Sequence, residues 1–282
     1  MKILTFDIED WFHILDNTST KSVDGWNDFE SRIDEGVDRI LEMLDVKKLK
    51  ASFFCLGWIA ERYPQVVRKI FDCGHEIGSH SFSHQLVYEQ SQEQFKEDLR
   101  KSVDILESII GRKVISYRAP GFSITEKSMW AFEILMDCGI KIDSSVFPAK
   151  RAHGGLDSFG FSKPFIINCG GLEIKEFPIN TRTLFGKDYI YSGGGYFRIL
   201  PKFYLKSAFA NDDYIMTYFH PRDFDKQQPM VPNLSMARKF KSYVGINGAF
   251  DKLCTILDEN DFVSLGNAVD HISWSDVEKV YI

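Results

Sequence analysis

The chain has 282 residues, 44% hydrophobic and 26% charged, which suits a folded protein with a large core and excludes whole-chain disorder, collagen and coiled coil. It carries 34 Lys and Arg against 40 Asp and Glu, a net charge of −6 with no long run of either sign, which argues against a nucleic-acid partner. The 5 cysteines form no CxxC pair, the opening Met-Lys-Ile-Leu-Thr-Phe-Asp lacks a signal-peptide core, and no apolar run reaches the ~20 residues of a membrane span; free thiols and a cytoplasmic location are expected.

Short apolar runs alternate with amphipathic stretches. Ile3-Leu4-Thr5-Phe6 reads as a first strand, and residues 30–47 place Ile33, Val37, Ile40, Leu41 and Leu44 at helical spacing. Residues 51–56 are a second strand, 58–73 a helix restarted at Pro64 and ended by Gly74, and 75–80 a third strand. Phe95, Leu99, Val103, Leu106 and Ile110 mark a helix over 91–111, followed by a strand at 114–118. A helix over 125–138, with Thr125 as its cap, leads to a fifth strand at 140–143. Residues 144–200, rich in Gly, Pro and aromatics, read as an insertion of loops and a small hairpin, with one alternating segment at 172–177. The rhythm resumes with a helix near 201–211, a strand at 214–219, a helix across 235–259 and a strand at 262–264. Strands alternating with helices predict parallel pairing in a closed or nearly closed α/β barrel, one domain over 1–282, with an open doubly wound sheet as the alternative.

The ionisable residues fall at predicted strand ends, the face where a parallel barrel builds its site. Asp7, Glu9 and Asp10 follow the first strand, His80 and His84 the third; Arg118, Asp143 and His220 end later ones. In His80-Ser81-Phe82-Ser83-His84 the i, i+4 spacing puts both imidazoles on one face of a helical turn, and two imidazoles plus a carboxylate make a three-ligand metal site. Asp7 and Glu9 share a face if the strand runs through Glu9, so one can ligate while the other stays free as a base. Asp10 also suits a cap or turn. Arg118 can hold a carboxylate bidentately, and His220 is a candidate general acid. His13, His75, His153 and His271 read as structural, with His153 in a Gly-rich loop that could line a cleft. Ser192-Gly193-Gly194-Gly195-Tyr196-Phe197-Arg198 reads as a connector or as a rim over the site. As a rim, its glycines approach a ligand, Tyr196 and Phe197 stack on a sugar and Arg198 meets an anion such as a diphosphate.

At these residues the sequence resembles the polysaccharide deacetylase (NodB-homology, carbohydrate esterase four) family. Thr5-Phe6-Asp7-Ile8-Glu9-Asp10, Ser79-His80-Ser81-Phe82-Ser83-His84, Arg118-Ala119-Pro120, Asp143 and Phe219-His220 follow the order of its five motifs. The Ser-Gly-Gly-Gly-Tyr-Phe-Arg run, Phe219-His220-Pro221 and Phe262-Val263-Ser264-Leu265 resemble a branch associated with surface-polysaccharide biosynthesis. The resemblance implies a distorted (β/α)7 barrel and a divalent metal, zinc first, with cobalt, nickel and iron also compatible. It implies removal of N-acetyl groups from a glycan or from a nucleotide- or lipid-linked precursor. By position, Asp7 is the base, His80 and His84 are ligands, Arg118 orients Asp7, and Asp143 tunes the acid His220. The family's adjacent aspartates are split here, which leaves Glu9 or Asp10 as the third ligand. Gly121 stands where the family has a Tyr, so its N–H is expected to meet the oxyanion and Phe122 to supply the aromatic wall. The alternatives are hydrolysis of another small amide, non-haem iron oxygenation, and sugar binding without turnover.

Overall fold

The structure, a computed structural model, describes residues 1–15, 17–149, 154–184 and 187–282. The strands Thr5–Ile8, Ser52–Cys55, Glu76–Ser79, Ser116–Tyr117, Ile142–Asp143 and Leu172–Glu176 lie side by side, each parallel to the next. Phe6 closes onto Phe219 through a parallel bridge, just past the strand Ile215–Met216. Lys2–Ile3 is held between Ile215–Met216 and Phe262–Val263. The result is a distorted (β/α)7 barrel.

Side-chain alternation along the strands builds two layers. Phe6 and Phe53, with ring centroids 5.1 Å apart, face outward onto the helices, while Phe54 joins Ile142, Phe177 and Met216 in a second apolar cluster. Leu265 and Ala268, from the helix Leu265–Asp270, belong to that second cluster and plug the bottom of the barrel. Glu76, at the start of its strand, pins that helix by accepting from the Gly266 N–H at 2.9 Å. Polar side chains at the opposite, C-terminal strand ends are left to build the site.

The expected helices form at 33–47, 57–62 with 64–72, 92–110, 130–137 and 202–211. Two expectations are corrected. The helix across 235–259 is two, Met236–Tyr243 and Ile246–Asp258, parted at Gly245 with a left-handed φ of 76°. Thr125 caps nothing: its N–H bonds the Ser128 hydroxyl in a turn before the helix Trp130–Asp137. The small hairpin expected within 144–200 forms, and one of its strands joins the barrel sheet. Phe165–Cys169 turns back antiparallel onto Leu172–Glu176, which pairs with Ile142–Asp143 and sets Glu176 opposite Asp143. Its alternation buries Ile174 and Glu176. All 5 cysteines are free. Among the described residues, no helix is long and apolar enough to cross a membrane.

The helix Ile33–Lys47 packs against the turn that follows His220. A Cβ at Gly36 would come within 2.7 Å of Pro221 Cβ. Alanine gains up to about 1 kcal/mol of helix propensity, but overpacking costs about 1–3 kcal/mol. We therefore expect Gly36→Ala to lower the melting temperature by a few degrees and to reduce activity through His220. A higher melting temperature with unchanged activity would show that this contact does not position the turn.

Candidate active site

Arg118 leaves its strand fully buried, with its guanidinium 4.2 Å from the centroid of the Phe54 ring. Its Nη1 donates to Asp7 Oδ1 and to Thr5 Oγ1, each at 2.7 Å, and its Nη2 donates to Ser144 Oγ at 3.0 Å. The grip on Asp7 is single rather than the bidentate one expected, because the other donors are spent on Thr5 and Ser144. Asp7 is nonetheless held as predicted.

His80 and His84 converge, but not on a helical turn. Ser81 and His84 are left-handed, with φ of 63° and 53°, and Asp98 clamps the loop by accepting from the N–H groups of Phe82 and Ser83 at 2.7 and 3.0 Å. Each Nε2 stands 2.9 Å from Glu9 Oε1. His80 Nδ1 lies 2.7 Å from the Arg118 carbonyl, which can only accept. The proton therefore sits on Nδ1 of the neutral ring, and the Nε2 lone pair faces the carboxylate. Burial alone would raise the Glu9 pKa; the imidazoles of His84, His220 and His80 outweigh it and hold the carboxylate well below its usual range. The His80 lone pair facing a carboxylate oxygen is repulsive unless a cation lies between them. Glu9, His80 and His84 are also the cluster of ligand atoms, all within 4.8 Å of one another, found among the described residues. The donor set thus fits a divalent metal with open positions.

Asp10, the alternative ligand, points elsewhere. It accepts from the Trp11 N–H at 2.8 Å, the Arg32 N–H at 3.0 Å and the Ser31 hydroxyl, fastening the entrance of the helix Ile33–Lys47. Burial pushes its pKa up to about 6. The strand ends at Ile8, and in the turn beyond it, where the Glu9 N–H bonds the Asp7 carbonyl at 3.1 Å, Glu9 joins Asp7 on the cavity while Asp10 turns to the helix layer.

His220 is the expected acid, but Asp143 is not its partner. Asp143 accepts from the Ser145 N–H and hydroxyl at 3.0 and 2.7 Å and faces Glu176, and the Ser145 hydroxyl in turn accepts from the Ala119 N–H at 2.8 Å. This buried acid pair props the Arg118–Gly121 segment. The carboxylate beside His220 is Asp223, whose Oδ2 is 3.1 Å from Nδ1 and also accepts the His220 N–H at 3.0 Å. Burial opposes the His220 imidazolium, but Glu9, Asp223 and Asp7 outweigh it and push the pKa up to about 9. Burial would likewise raise Asp223; Arg198, 3.1 Å away, and His220 bring it down to about 2. His220 Nε2 stays free of close partners, 3.6 Å from Glu9 and 3.8 Å from Asp7, with the side chain 20% exposed.

A cavity of about 300 Å³ lies over these groups. Gly121 and Phe122 line it as expected, as do Gly194 and Gly195. Gly193 bridges Tyr218, where a Cβ would meet the Tyr218 carbonyl oxygen at 2.1 Å, so the glycine run is seated on the barrel rather than poised as a hinge. The rest of the expected rim is corrected in part. The helix Gly194–Ile199 turns Phe197 and Arg198 inward and leaves Tyr196 outward, 51% exposed and off the cavity lining. Phe197 packs on Phe219; Arg198 lines the cavity as expected, and there it pairs with Asp223 and donates to the Lys241 carbonyl. Tyr218, edge-on to Phe122 at 5.2 Å, is the second aromatic wall. His13 is buried, yet it also lines the cavity. His153 lies outside the described residues. Asp223 went unread, although a carboxylate three residues after His220, across Pro221, was the available signal.

Fold and site together define a (β/α) barrel with a two-histidine, one-carboxylate centre and two flanking acid–base arms. Residues 16–141 match the family model for polysaccharide deacetylase, and residues 144–270 match a domain of unknown function, DUF3473. A peptidoglycan-N-acetylglucosamine deacetylase of Bacillus cereus is 33% identical over 106 residues, covering 36% of this chain and 38% of that protein. A peptidoglycan deacetylase of Helicobacter pylori is 31% identical over 111 residues, 39% of this chain and 37% of its own. The chain thus spans under two fifths of the length of these relatives. Among solved structures, a Mycobacterium smegmatis chain provisionally named a polysaccharide deacetylase superposes with a TM-score of 0.65 at 17% identity, over 98% of this chain and 90% of its own. A Bacillus anthracis pseudoenzyme of carbohydrate esterase family four gives 0.51 at 15%, over 99% and 66%. Residues 16–141 thus carry a polysaccharide deacetylase domain of the NodB, carbohydrate esterase four type.

Two measurements check the site. Glu9→Ala, His80→Ala and His84→Ala should each lose stoichiometric divalent metal in elemental analysis, and Asp10→Asn should keep it while melting lower. Full metal in Glu9→Ala and none in Asp10→Asn would reverse the assignment. In the pH–rate profile, Asp223→Asn should move the alkaline limb down by about one to two pH units, because a hydrogen bond to a charged group is worth about 1.5–3 kcal/mol and one pKa unit about 1.4. Asp143→Asn should move that limb less; the opposite ranking restores Asp143 as the partner.

Proposed function

We propose that this chain is a metal-dependent hydrolase that removes N-acetyl groups from an N-acetylated sugar, releasing acetate and a free amine. One observation carries the reading: the Arg118-held Asp7 and the Asp223-held His220 both reach the Glu9–His80–His84 centre within one cavity, with His220 Nε2 3.6 Å from Glu9 and 3.8 Å from Asp7. Oxygenation at such a triad has no use for a separate base and acid. The described site combines parts of both matched stretches, His80, His84 and Arg118 from the first and His220, Asp223 and Arg198 from the second, and we take them as one working unit.

A divalent ion held by Glu9, His80 and His84, to which we assign zinc, would polarise the acetamido oxygen and acidify a water. Arg118 fixes Asp7 through Oδ1, which leaves Oδ2 to take the proton of the attacking water. Nε2 of His220, kept charged by Asp223, gives its proton to the departing nitrogen as the C–N bond breaks. The Gly121 backbone N–H faces the developing oxyanion, and Phe122 with Tyr218 brackets the acetyl methyl. The free thiols suit a reducing compartment, and the cytoplasm is the location we assign.

One structural neighbour is described as a pseudoenzyme, so the fold by itself does not carry turnover. Here the ligands, base, acid and both of their orienting partners are present, which favours catalysis over sugar binding alone. Acetate release from a panel of N-acetyl sugars and other small acetamides tests this. Asp7→Asn should retain metal and lose at least about 10²-fold in kcat. A fully loaded wild type that releases no acetate from any sugar would sink the proposal, and preference for a non-sugar amide would redirect it.

A further inference from the structure

Arg198, expected to meet an anion, lines the cavity and is paired there with Asp223, and the wall beside it carries other cations. Pairing the charges around the cavity accounts for Arg118 with Asp7 and for Arg198 and His220 with Asp223. Arg222 and Lys241 also line the cavity, and neither side chain has an ion pair or hydrogen bond among the described residues. Arg222 sits two residues past His220 in the turn Pro221–Phe224 and is half-buried. Lys241 lies on the helix Met236–Tyr243, docked beside the helix Gly194–Ile199 by the 2.7 Å bond from Arg198 to the Lys241 carbonyl. Arg238, one turn earlier on the same helix, lines the cavity too, with Nη2 on the Leu15 carbonyl at 2.6 Å.

A guanidinium has five donors, and taking it partly out of water without a partner is costly. Burial is the leading influence on Arg222 and lowers its pKa, and the charges of Asp223 and Glu9 offset it only in part. The protein as a whole is net negative at −6, so a positive wall in this one cavity is a local departure from its surface charge. At about 300 Å³ the cavity is at the small end of ligand sites, so an anion bound on this wall is held close to the reacting sugar.

We propose that Arg222 and Lys241 form an anion subsite beside the catalytic groups, and that the substrate sugar carries a carboxylate or phosphate seated there. This rests on the deacetylase reading and narrows its substrate class. No bond is made or broken at the subsite. It supplies ground-state binding and orients the acetamido group toward Asp7 and His220, so its loss falls on KM more than on kcat.

The test compares three N-acetylglucosamine substrates: a neutral chitooligosaccharide, UDP-N-acetylglucosamine, and a disaccharide joining N-acetylglucosamine to glucuronic acid. Wild type should show a KM at least about tenfold lower for one anionic substrate than for the neutral one. Arg222→Gln and Lys241→Gln should shrink that preference by about tenfold, the size of a charge-assisted hydrogen bond, and Arg222→Lys should restore part of it. Preference for the nucleotide sugar assigns the anion to phosphate, and preference for the uronate assigns it to carboxylate. Acetate release with equal KM across the three substrates would overturn the subsite and leave the deacetylase standing. If no substrate is turned over, the deacetylase reading fails, and calorimetric binding of the same compounds to metal-loaded protein decides the subsite separately. Tighter binding of an anionic compound, weakened by Arg222→Gln, supports it; equal binding overturns it.

Discussion

The buried guanidinium of Arg118 is the contact on which the site depends. One side chain joins three strand ends, through Thr5 and Asp7 on one side and Ser144 on the other, while its backbone carbonyl fixes the tautomer of His80. Asp7 and His80 are therefore positioned by the same residue, one by its side chain and the other by its backbone. A fully buried charge is tolerable only when paired and hydrogen-bonded, and removing one partner of such a pair costs about 3–5 kcal/mol. Phe54 beneath the guanidinium and the Asp143–Ser145–Ala119 chain beside it leave Arg118 little freedom to move. Neutral substitutions at Asp143 thus act on the site through the loop after Arg118, at a distance from the acid.

The second constraint is backbone strain at the ligands. Two non-glycine residues, Ser81 and His84, occupy left-handed conformations within four residues of chain. Such positions cost about 1–3 kcal/mol each and persist where neighbours over-determine them. Asp98 and the Ser81 hydroxyl, which accepts the His84 N–H at 3.1 Å, supply that restraint here. A helical turn would also bring i, i+4 imidazoles to one face. The tight loop instead aims both Nε2 atoms at one oxygen, which matters more for an ion than a shared face does.

Much of this was legible in the sequence, because a charged residue directly after an apolar strand has few places to go. Asp7, Glu9, His80, His84, Arg118 and His220 were all placed correctly at one face by that reasoning. The misreadings share a physical cause: sequence locates a residue along the chain but not its azimuth around the barrel. Asp143 and His220 both end strands, yet the carboxylate that reaches His220 belongs to its own turn, because Pro221 bends the chain so that Asp223 returns to the histidine. Arg198 and Tyr196 were ranked by chemistry, whereas the helix they occupy buries the cation and exposes the ring. The alternation of Leu172–Glu176 marks a hairpin strand, but alternation does not specify its partner, here Ile142–Asp143 of the barrel.

The two matched stretches, 16–141 and 144–270, divide the chemistry unevenly. The first contributes His80, His84 and the Arg118 that holds Asp7, while Asp7 and Glu9 themselves precede it. The second contributes the acid, its Asp223–Arg198 support, and the cationic wall at Arg222 and Lys241. Catalytic groups that must act on one amide are constrained to a common geometry, whereas the wall answers only to what lies beyond the acetamido group. Arg198 links these tasks, since it holds Asp223 through its guanidinium and docks the helix carrying Lys241. A change in the preferred sugar can therefore be made at Arg222 or Lys241 with the proton-transfer geometry left in place, but a change at Arg198 disturbs both. That asymmetry explains why a buried arginine in a glycine-rich stretch is better understood as a strut than as a contact to substrate.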